Sequence, residues 1–151
     1  MKNNTSKNQS GFTLIEILLV MALIAALATI VLIAINPAQK FKQSRDTQRY
    51  TDVNNIAGAI SQYYVDNKGQ LPAGIPAAGG AAAAISDAGA NLCSALVPKY
   101  LAIMPKDPST GTGTGCTTYS TGYTVIRESD TTDRVVVAAT PEAAASISVT
   151  R

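Results

Sequence analysis

The sequence contains no histidine and no tryptophan, and it is poor in aromatic and charged residues. Histidine is the commonest general base and the commonest metal ligand, so its absence argues against most hydrolase and metalloenzyme mechanisms. We therefore expect neither an enzymatic activity nor a cofactor. Charged residues make up only 15%, and 12 basic against 10 acidic side chains give a formal charge of +2. This balance argues against nucleic acid as the main partner.

What the 151-residue chain does have is one long apolar segment near its N-terminus. From Ile17 to Ile35 there is no charged residue, and Thr29 supplies the only hydroxyl group. A helix rises about 1.5 Å per residue and the hydrocarbon core of a bilayer is about 30 Å thick, so roughly 20 apolar residues span it. The alternative, a buried core helix, would need a larger domain around it. We predict a membrane-spanning helix.

The residues before the apolar segment bear on its orientation. Lys2 and Lys7 precede it, but basic residues also follow it from Lys40 onward, so the count of positive charges does not decide the topology. A short polar N-terminus directly before an apolar run is typical of a secretory n-region and h-region. This pattern predicts that the N-terminus lies on the cytoplasmic side of the membrane and the C-terminal domain on the outer side.

Glu16 is the one charge at the start of the apolar segment. A carboxylate costs on the order of 2.5–3.5 kcal/mol at the bilayer centre and less near the interface, and such residues are usually paired or functional. Glu16 therefore predicts a cationic partner. The alternative is a carboxylate that reaches the headgroup region or is protonated.

The residues Gly11-Phe12-Thr13-Leu14-Ile15-Glu16 follow a short basic leader and open the apolar run. This segment resembles the class III signal peptide of the type IV pilin and type II secretion pseudopilin superfamily. The resemblance implies that a prepilin peptidase cleaves between Gly11 and Phe12 and that Phe12 is then N-methylated. It also implies that Glu16 neutralises the N-terminal amine of a neighbouring subunit.

The electrostatics of the cleaved chain agree with that role for Glu16. Cleavage creates an ammonium group at Phe12, and opposite charges attract far more strongly in a low-dielectric medium than in water. Burying either charge alone would be expensive. The alternative is an ordinary secretory signal peptide cut after Ala26-Leu27-Ala28. Glu16 within the h-region and the apolar run that continues to Ile35 argue against it.

Residues 36–68 predict a second, amphipathic half of the helix, following the apolar half at 12–35. Pro37 is expected to kink or restart the helix, since proline is tolerated in a first turn. Gly69 is expected to stop it. An apolar stripe at helical spacing should dock on a sheet, and it comprises Val53, Ile56, Ala57, Ile60, Tyr63 and Tyr64.

The remaining residues, 69–151, predict a small β-rich domain. In the Ala/Gly-rich stretch 73–90 we expect an exposed loop, with a loop that contains a short helix as the alternative. Another short helix is expected within 92–100. Strands are expected at 123–127 and 134–139, joined by a polar turn, with a last edge strand at 146–150. The fold class is α+β, and the resemblance implies the pilin-like form: a long N-terminal helix packed on a small antiparallel sheet.

Cys93 and Cys116 are the only cysteines. In an exported domain two cysteines most often form one disulfide, and the alternative is two free thiols. Asp107, Asp130 and Asp133 follow no recognisable calcium spacing, so we interpret them as turn formers and predict no metal site. The glycine-rich residues 111–115 lack the pattern of a phosphate loop and are expected to form a flexible loop.

These features predict a structural subunit that assembles as a helical homo-oligomer through its apolar helix. The resemblance implies three partners: the prepilin peptidase, a pilus assembly machinery, and the inner membrane before assembly. The leading hypothesis is that the chain is a structural subunit of an extracellular type IV pilus. A pseudopilin of a secretion or competence system is an alternative, favoured by the segment Pro105-Lys106-Asp107-Pro108, which is similar to one in many pseudopilins. A third possibility is a single-span membrane-anchored sensor or binding protein.

Overall fold

The computed structural model of the chain describes residues 11–113, 115–128 and 133–151. The described residues divide into two units between Lys40 and Phe41. Most of the predicted leader and the tip of the predicted polar turn lie outside the described residues. The elements are α1 (Leu14–Ile35), α2 (Pro37–Asp66), β1 (Ala83–Ser86), α3 (Cys93–Leu96), β2 (Thr112–Gly113), β3 (Tyr119–Arg127), β4 (Val135–Ala139) and β5 (Ile147–Thr150).

Helix α1 begins and ends with recognisable caps. The Thr13 hydroxyl oxygen accepts a hydrogen bond from the backbone N–H of Glu16 at 3.3 Å, which satisfies one of the free donors of the first turn. At the other end Asn36 adopts a left-handed conformation, with φ of 48°, and Pro37 is the first residue of α2. Proline fits this position because it has no N–H to lose. The prediction that Pro37 restarts the helix is confirmed.

Helix α2 ends where the sequence predicts. Its last residue is Asp66, and Lys68 and Gly69 both have positive φ. The N–H of Gly69 donates to the carbonyl oxygen of Tyr64 at 2.9 Å, which closes the last turn.

The five strands form one antiparallel sheet with the order β1-β3-β4-β5, and β2 pairs with the beginning of β3. Along β3 buried and half-buried residues alternate, as expected for a sheet with one face on the core. The buried face of α2 packs in the same core as the sheet. Four core residues of the helix were predicted: Val53, Ile56, Ala57 and Ile60. The α+β fold, with a long N-terminal helical region and a small antiparallel sheet, is confirmed.

Two stretches predicted as loops contain strands instead. Within 73–90, residues Ala83–Ser86 form β1, which pairs with β3, and Ile85 is fully buried. Alanine and glycine carry little apolar pattern, so the strand was not apparent. Within 111–115, Thr112–Gly113 form β2. A side chain at Gly113, which has φ of 76°, would place its Cβ 2.2 Å from the carbonyl oxygen of Thr118. Only glycine fits this pairing without strain.

Candidate functional site

The predicted processing site lies just before α1. Residues 11–13 are outside the helix, which begins at Leu14, and the Phe12 side chain is exposed. No heavy atom lies within 4 Å of a Cβ built on Gly11. The peptide bond between Gly11 and Phe12 therefore lies in an irregular, exposed stretch of backbone.

Helix α1 is apolar on all sides. Every residue from Leu14 to Ile35 is exposed within the described part of the chain, although the helix is strongly apolar. The Thr29 hydroxyl donates to the carbonyl oxygen of Ala25 at 2.9 Å, so this polar group is satisfied inside the helix. By length and composition α1 is able to cross a membrane. Such a surface is stable only in lipid or against other apolar helices.

Glu16 lies in the first turn of α1, four residues after Phe12. A carboxylate is favoured there by the partial positive charge of the helix N-terminus. The described residues provide no salt-bridge partner for it. The cationic partner of Glu16 therefore stays a prediction.

A second group of polar residues is buried in the globular unit, around the guanidinium group of Arg49. Its Nε donates to Asp107 Oδ2 at 2.5 Å, and its Nη1 donates to Asp46 Oδ1 at 2.8 Å. The side chains of all three residues are less than a tenth exposed. Its Nη2 donates to Glu142 Oε1 at 2.6 Å and to Ser109 Oγ at 2.7 Å. Arg49 thus joins α2 to two loops that are distant in sequence.

The acidic members of this cluster are held in their ionised form. Burial alone would raise the pKa of Asp46, but the backbone N–H groups of Glu142, Ala143 and Ala144 and the Arg49 side chain outweigh it and lower that pKa well below its usual range. Burial also opposes ionisation of Asp107, and Arg49 and Ser109 outweigh it, so its pKa is lowered as well.

The contacts of this cluster also shift the pKa values of Glu142 and Arg49. Hydrogen bonds from Arg45, and then Arg49, lower the pKa of Glu142 to about 2. The Asp107 carboxylate, against the opposing effect of burial, raises the pKa of Arg49 above its usual value. The arrangement is chemically inert: every charge has a partner, and nothing in it is positioned as a nucleophile or general base.

The sequence did not predict this cluster. Asp46 and Arg49 lie on the same helical face as Val53, Ile56 and Ile60, at the spacing i, i+3, i+7, i+10 and i+14. The period was therefore present, but charged residues are rarely fully buried and do not count toward an apolar stripe. Asp107 belongs to the Pro-Lys-Asp-Pro segment. Its partner Arg49 is 58 residues earlier in the sequence, so no local pattern links the two.

A disulfide joins Cys93, at the start of α3, to Cys116, with the two Cα atoms 5.3 Å apart. It ties the loop before β3 to α3. The Tyr119 hydroxyl accepts hydrogen bonds from the N–H groups of Leu92 and Cys93, both at 3.2 Å, and so fixes the same short helix from the sheet side.

The predicted turn-forming acids have different surroundings. Asp107 accepts hydrogen bonds from the N–H groups of Ser109 and Thr110 as well as from Arg49. Asp133 pairs with Arg127, and Asp130 lies outside the described residues. Within residues 11–113, 115–128 and 133–151, no group of three or more His, Cys, Asp or Glu side chains is placed to hold a metal ion.

The fold and the N-terminal site together define a protein with an exposed apolar N-terminal helix and a small α+β unit. Residues 6–32 match the family described as the prokaryotic N-terminal methylation motif. This motif, which covers 27 of the 151 residues, is the one found in the class III signal peptide of type IV pilins and pseudopilins. No curated protein and no solved structure matches the chain.

The match gives the chain a coarse functional assignment. The motif supports a pilin-like or pseudopilin protein, a group that is generally structural rather than enzymatic. It implies processing by prepilin peptidase and assembly in a pilus or a secretion system. The apolar helix and the motif support a membrane-anchored precursor.

Proposed function

We propose that the chain is a structural subunit of an extracellular type IV pilus filament. The observation that carries this proposal is helix α1, with 22 residues and no buried side chain, which begins two residues after Phe12 and has Glu16 in its first turn. In the membrane its surface contacts lipid. In the filament the same surface contacts the α1 helices of other copies, so the subunit exchanges lipid contacts for helix contacts.

In this proposal residues 1–11 are the leader, 12–35 the membrane and filament-core helix, 36–68 the amphipathic half, and 69–151 the displayed domain. The precursor is a single-pass protein of the inner membrane with its N-terminus inside. Cleavage after Gly11 removes Lys2 and Lys7, which leaves 12 − 2 = 10 basic side chains against 10 acidic ones. A formally neutral subunit packs against its copies without net repulsion.

Glu16 has a specific role in this assembly. The methylated ammonium group of Phe12 and the Glu16 carboxylate of a neighbouring copy neutralise each other in a low-dielectric environment. Because a misplaced copy would leave both charges unpaired, the pair selects the axial position of each incoming subunit. We expect Glu16→Gln to abolish or strongly reduce fibre assembly, while Thr29→Val, a change inside the same helix, leaves assembly intact.

The second candidate is a pseudopilin of a type II secretion or competence system. The segment Pro105-Lys106-Asp107-Pro108 favours it, and Asp107 of that segment is a buried partner of Arg49. Fibres seen on wild-type cells and lost when the gene is deleted distinguish the pilus from this alternative. In the third candidate, a single-span sensor or binding protein, Glu16→Gln has almost no effect.

The decisive experiment is an intact mass and an N-terminal fragment spectrum of the protein from sheared surface material and from membranes. A chain that begins at methylated Phe12 in the sheared fraction supports the pilus. The same chain found only in membranes supports a pseudopilin. A chain that begins at Met1, or after Ala28, contradicts prepilin processing.

A further inference from the structure

The globular unit has an open groove between α2 and the segment that follows α3. Its volume is about 570 Å³. One wall is polar and comes from α2, through Gln48, Asp52 and Asn55, while the other is largely apolar and comes from 101–105, beside the Cys93–Cys116 disulfide. Ile103 on the apolar wall is 77% exposed. We call this feature the side groove.

Asp52 in the side groove is a half-buried carboxylate that forms no salt bridge with a described residue. Its Oδ2 accepts a hydrogen bond from the Tyr123 hydroxyl at 2.8 Å. The other described acids of the globular unit pair with an arginine or lysine, with the exception of Asp87, which is exposed. Burial raises the pKa of Asp52, and the Tyr123 hydrogen bond only partly offsets that effect. A cation brought to this wall would therefore be stabilised.

Among the described residues, no cation of the same chain forms a salt bridge with Asp52. Lys106 lines the groove, but its ammonium group donates to the carbonyl oxygen of Gly113 at 3.3 Å. Lys42 is on the same helix as Asp52 and ten residues earlier, which is about 15 Å along the axis at the helical rise. A cation from another molecule would complete the pair that the described residues leave open.

The start of α2 has the complementary chemistry. The Phe41 side chain is 66% exposed, and it is followed directly by Lys42, for which the described residues provide no acidic partner. An exposed aromatic ring beside an unpaired ammonium group matches an apolar wall beside an unpaired carboxylate. Lys68 also lacks an acidic partner among the described residues, but its neighbours Asn67 and Gly69 offer no apolar side chain.

We propose that Phe41 and Lys42 of a second copy dock in the side groove, with the ring against Ile103 and the ammonium group at Asp52. The inference rests on the proposed function, because it requires copies to assemble. It assigns a contact between globular units that is separate from the α1 packing. The contact displaces one copy from the other by about 15 Å along α2, the axial distance between Lys42 and Asp52.

Photo-crosslinking of the full chain in its own host tests the contact directly. Phe41 is replaced by the photoreactive residue p-benzoylphenylalanine, fibres are sheared and irradiated, and tryptic peptides are sequenced by mass spectrometry. We expect an intermolecular adduct on the peptide 100–106, which contains Ile103. The matched control carries the same replacement at Tyr50, another exposed aromatic residue of α2, and should not label that peptide. Fibres in which Phe41 labels only other peptides overturn the inference.

Charge reversal tests the ionic half of the contact. Lys42→Glu and Asp52→Lys should each lower the yield of sheared fibres about tenfold, and the double variant should return to within about twofold of the wild type. Lys68→Glu and Asp87→Lys, alone and together, are controls with no expected effect. Equal amounts of disulfide-linked chain in membranes show that each variant folds. Two single losses without rescue in the double variant overturn the proposed pair.

The two proposals fail differently. If the wild-type chain yields no sheared fibre, the pilus proposal fails, and the Phe41 crosslink is then sought in membrane extracts, where its absence overturns the contact too. If the wild type yields fibres but neither the adduct nor the rescue is found, only the contact fails.

Discussion

The two helices of this chain reverse the usual relation between apolar content and burial. Helix α1 is the more apolar, yet none of its residues is buried within the described chain, whereas α2 is polar on average and buries seven residues, among them Asp46 and Arg49. The difference indicates where each helix finds its partner. The partner of α2 is the sheet of the same chain. The apolar surface of α1 has no such partner among the described residues, as expected for a helix that crosses a membrane or packs against other apolar helices.

The strongest test of the buried contacts of α2 is the removal of Arg49. The change Arg49→Met leaves the buried carboxylates of Asp46 and Asp107 without their cation, and such a loss destabilises a protein by about 3–5 kcal/mol. Chemical unfolding of the full chain in detergent, followed by tyrosine absorbance or circular dichroism, measures it. Lys42→Met, an exposed site on the same helix, is the control and should change stability by less than about 0.5 kcal/mol.

A pair of truncations compares the two helices directly. Ile56→Ala removes a fully buried side chain of α2 and should lower the free energy of unfolding by about 2–5 kcal/mol. Leu23→Ala removes an exposed side chain of α1 and should leave the unfolding of the detergent-solubilised chain unchanged while it reduces fibre yield. Equal losses of unfolding free energy in both variants would contradict the division of roles.

Reducing the disulfide tests a constraint that belongs only to the globular unit. The bond links residues 23 positions apart, and closing a loop of that size contributes about 3 kcal/mol in the chain-entropy model. The double variant Cys93→Ser and Cys116→Ser should therefore unfold at lower denaturant concentration, and the wild type under reducing conditions should behave like it. The helicity of α1, measured by circular dichroism after unfolding of the globular unit in detergent, should be the same in both.

Acid provides the mildest test of the buried cluster. The pKa values of Asp46 and Asp107 are lowered in the folded protein, so these groups contribute stability above their unfolded pKa, about 4. That contribution is lost as the pH falls through the folded values. Unfolding stability should be flat between about pH 7 and pH 5 and should decline below about pH 4. Asp46→Asn should flatten the decline.

Asp52 is the matched control for the acid experiment. Burial raises its pKa, so its titration has the opposite sign: protonation on acidification relieves an unfavourable buried charge. The variant Asp52→Asn should therefore retain the full decline below about pH 4, and a flattened decline in this variant would contradict the assignment of acid sensitivity to the Arg49 cluster.

The sequence predicted those parts of the molecule in which a local pattern determines the structure. The apolar run of α1, the restart at Pro37, the stop near Gly69 and the stripe from Val53 to Ile60 each follow from residues close together in the chain. The β1 strand escaped prediction because Ala83 and Ala84 carry no alternation, and its position depends on pairing with β3.

The buried cluster escaped for a different reason. Arg49 contacts Asp107 and Glu142, which are 58 and 93 residues away in the sequence. No local sequence pattern predicts contacts over such separations. The N-terminal motif could be recognised because its residues are contiguous in the sequence. The side groove could not be predicted, because its two walls come together only in the folded chain.

The contacts of Asp46 have a mechanical consequence. Its carboxylate accepts hydrogen bonds from three consecutive N–H groups, those of Glu142, Ala143 and Ala144, just before the last strand. A pull on α2 ahead of Asp46 thus reaches the C-terminal strand through charged hydrogen bonds, in parallel with the apolar core. Such bonds are short and lose their strength over a small extension, so they resist shear stiffly, whereas a hydrophobic contact yields gradually. The helix and the last strand of the sheet should therefore respond to tension as one body.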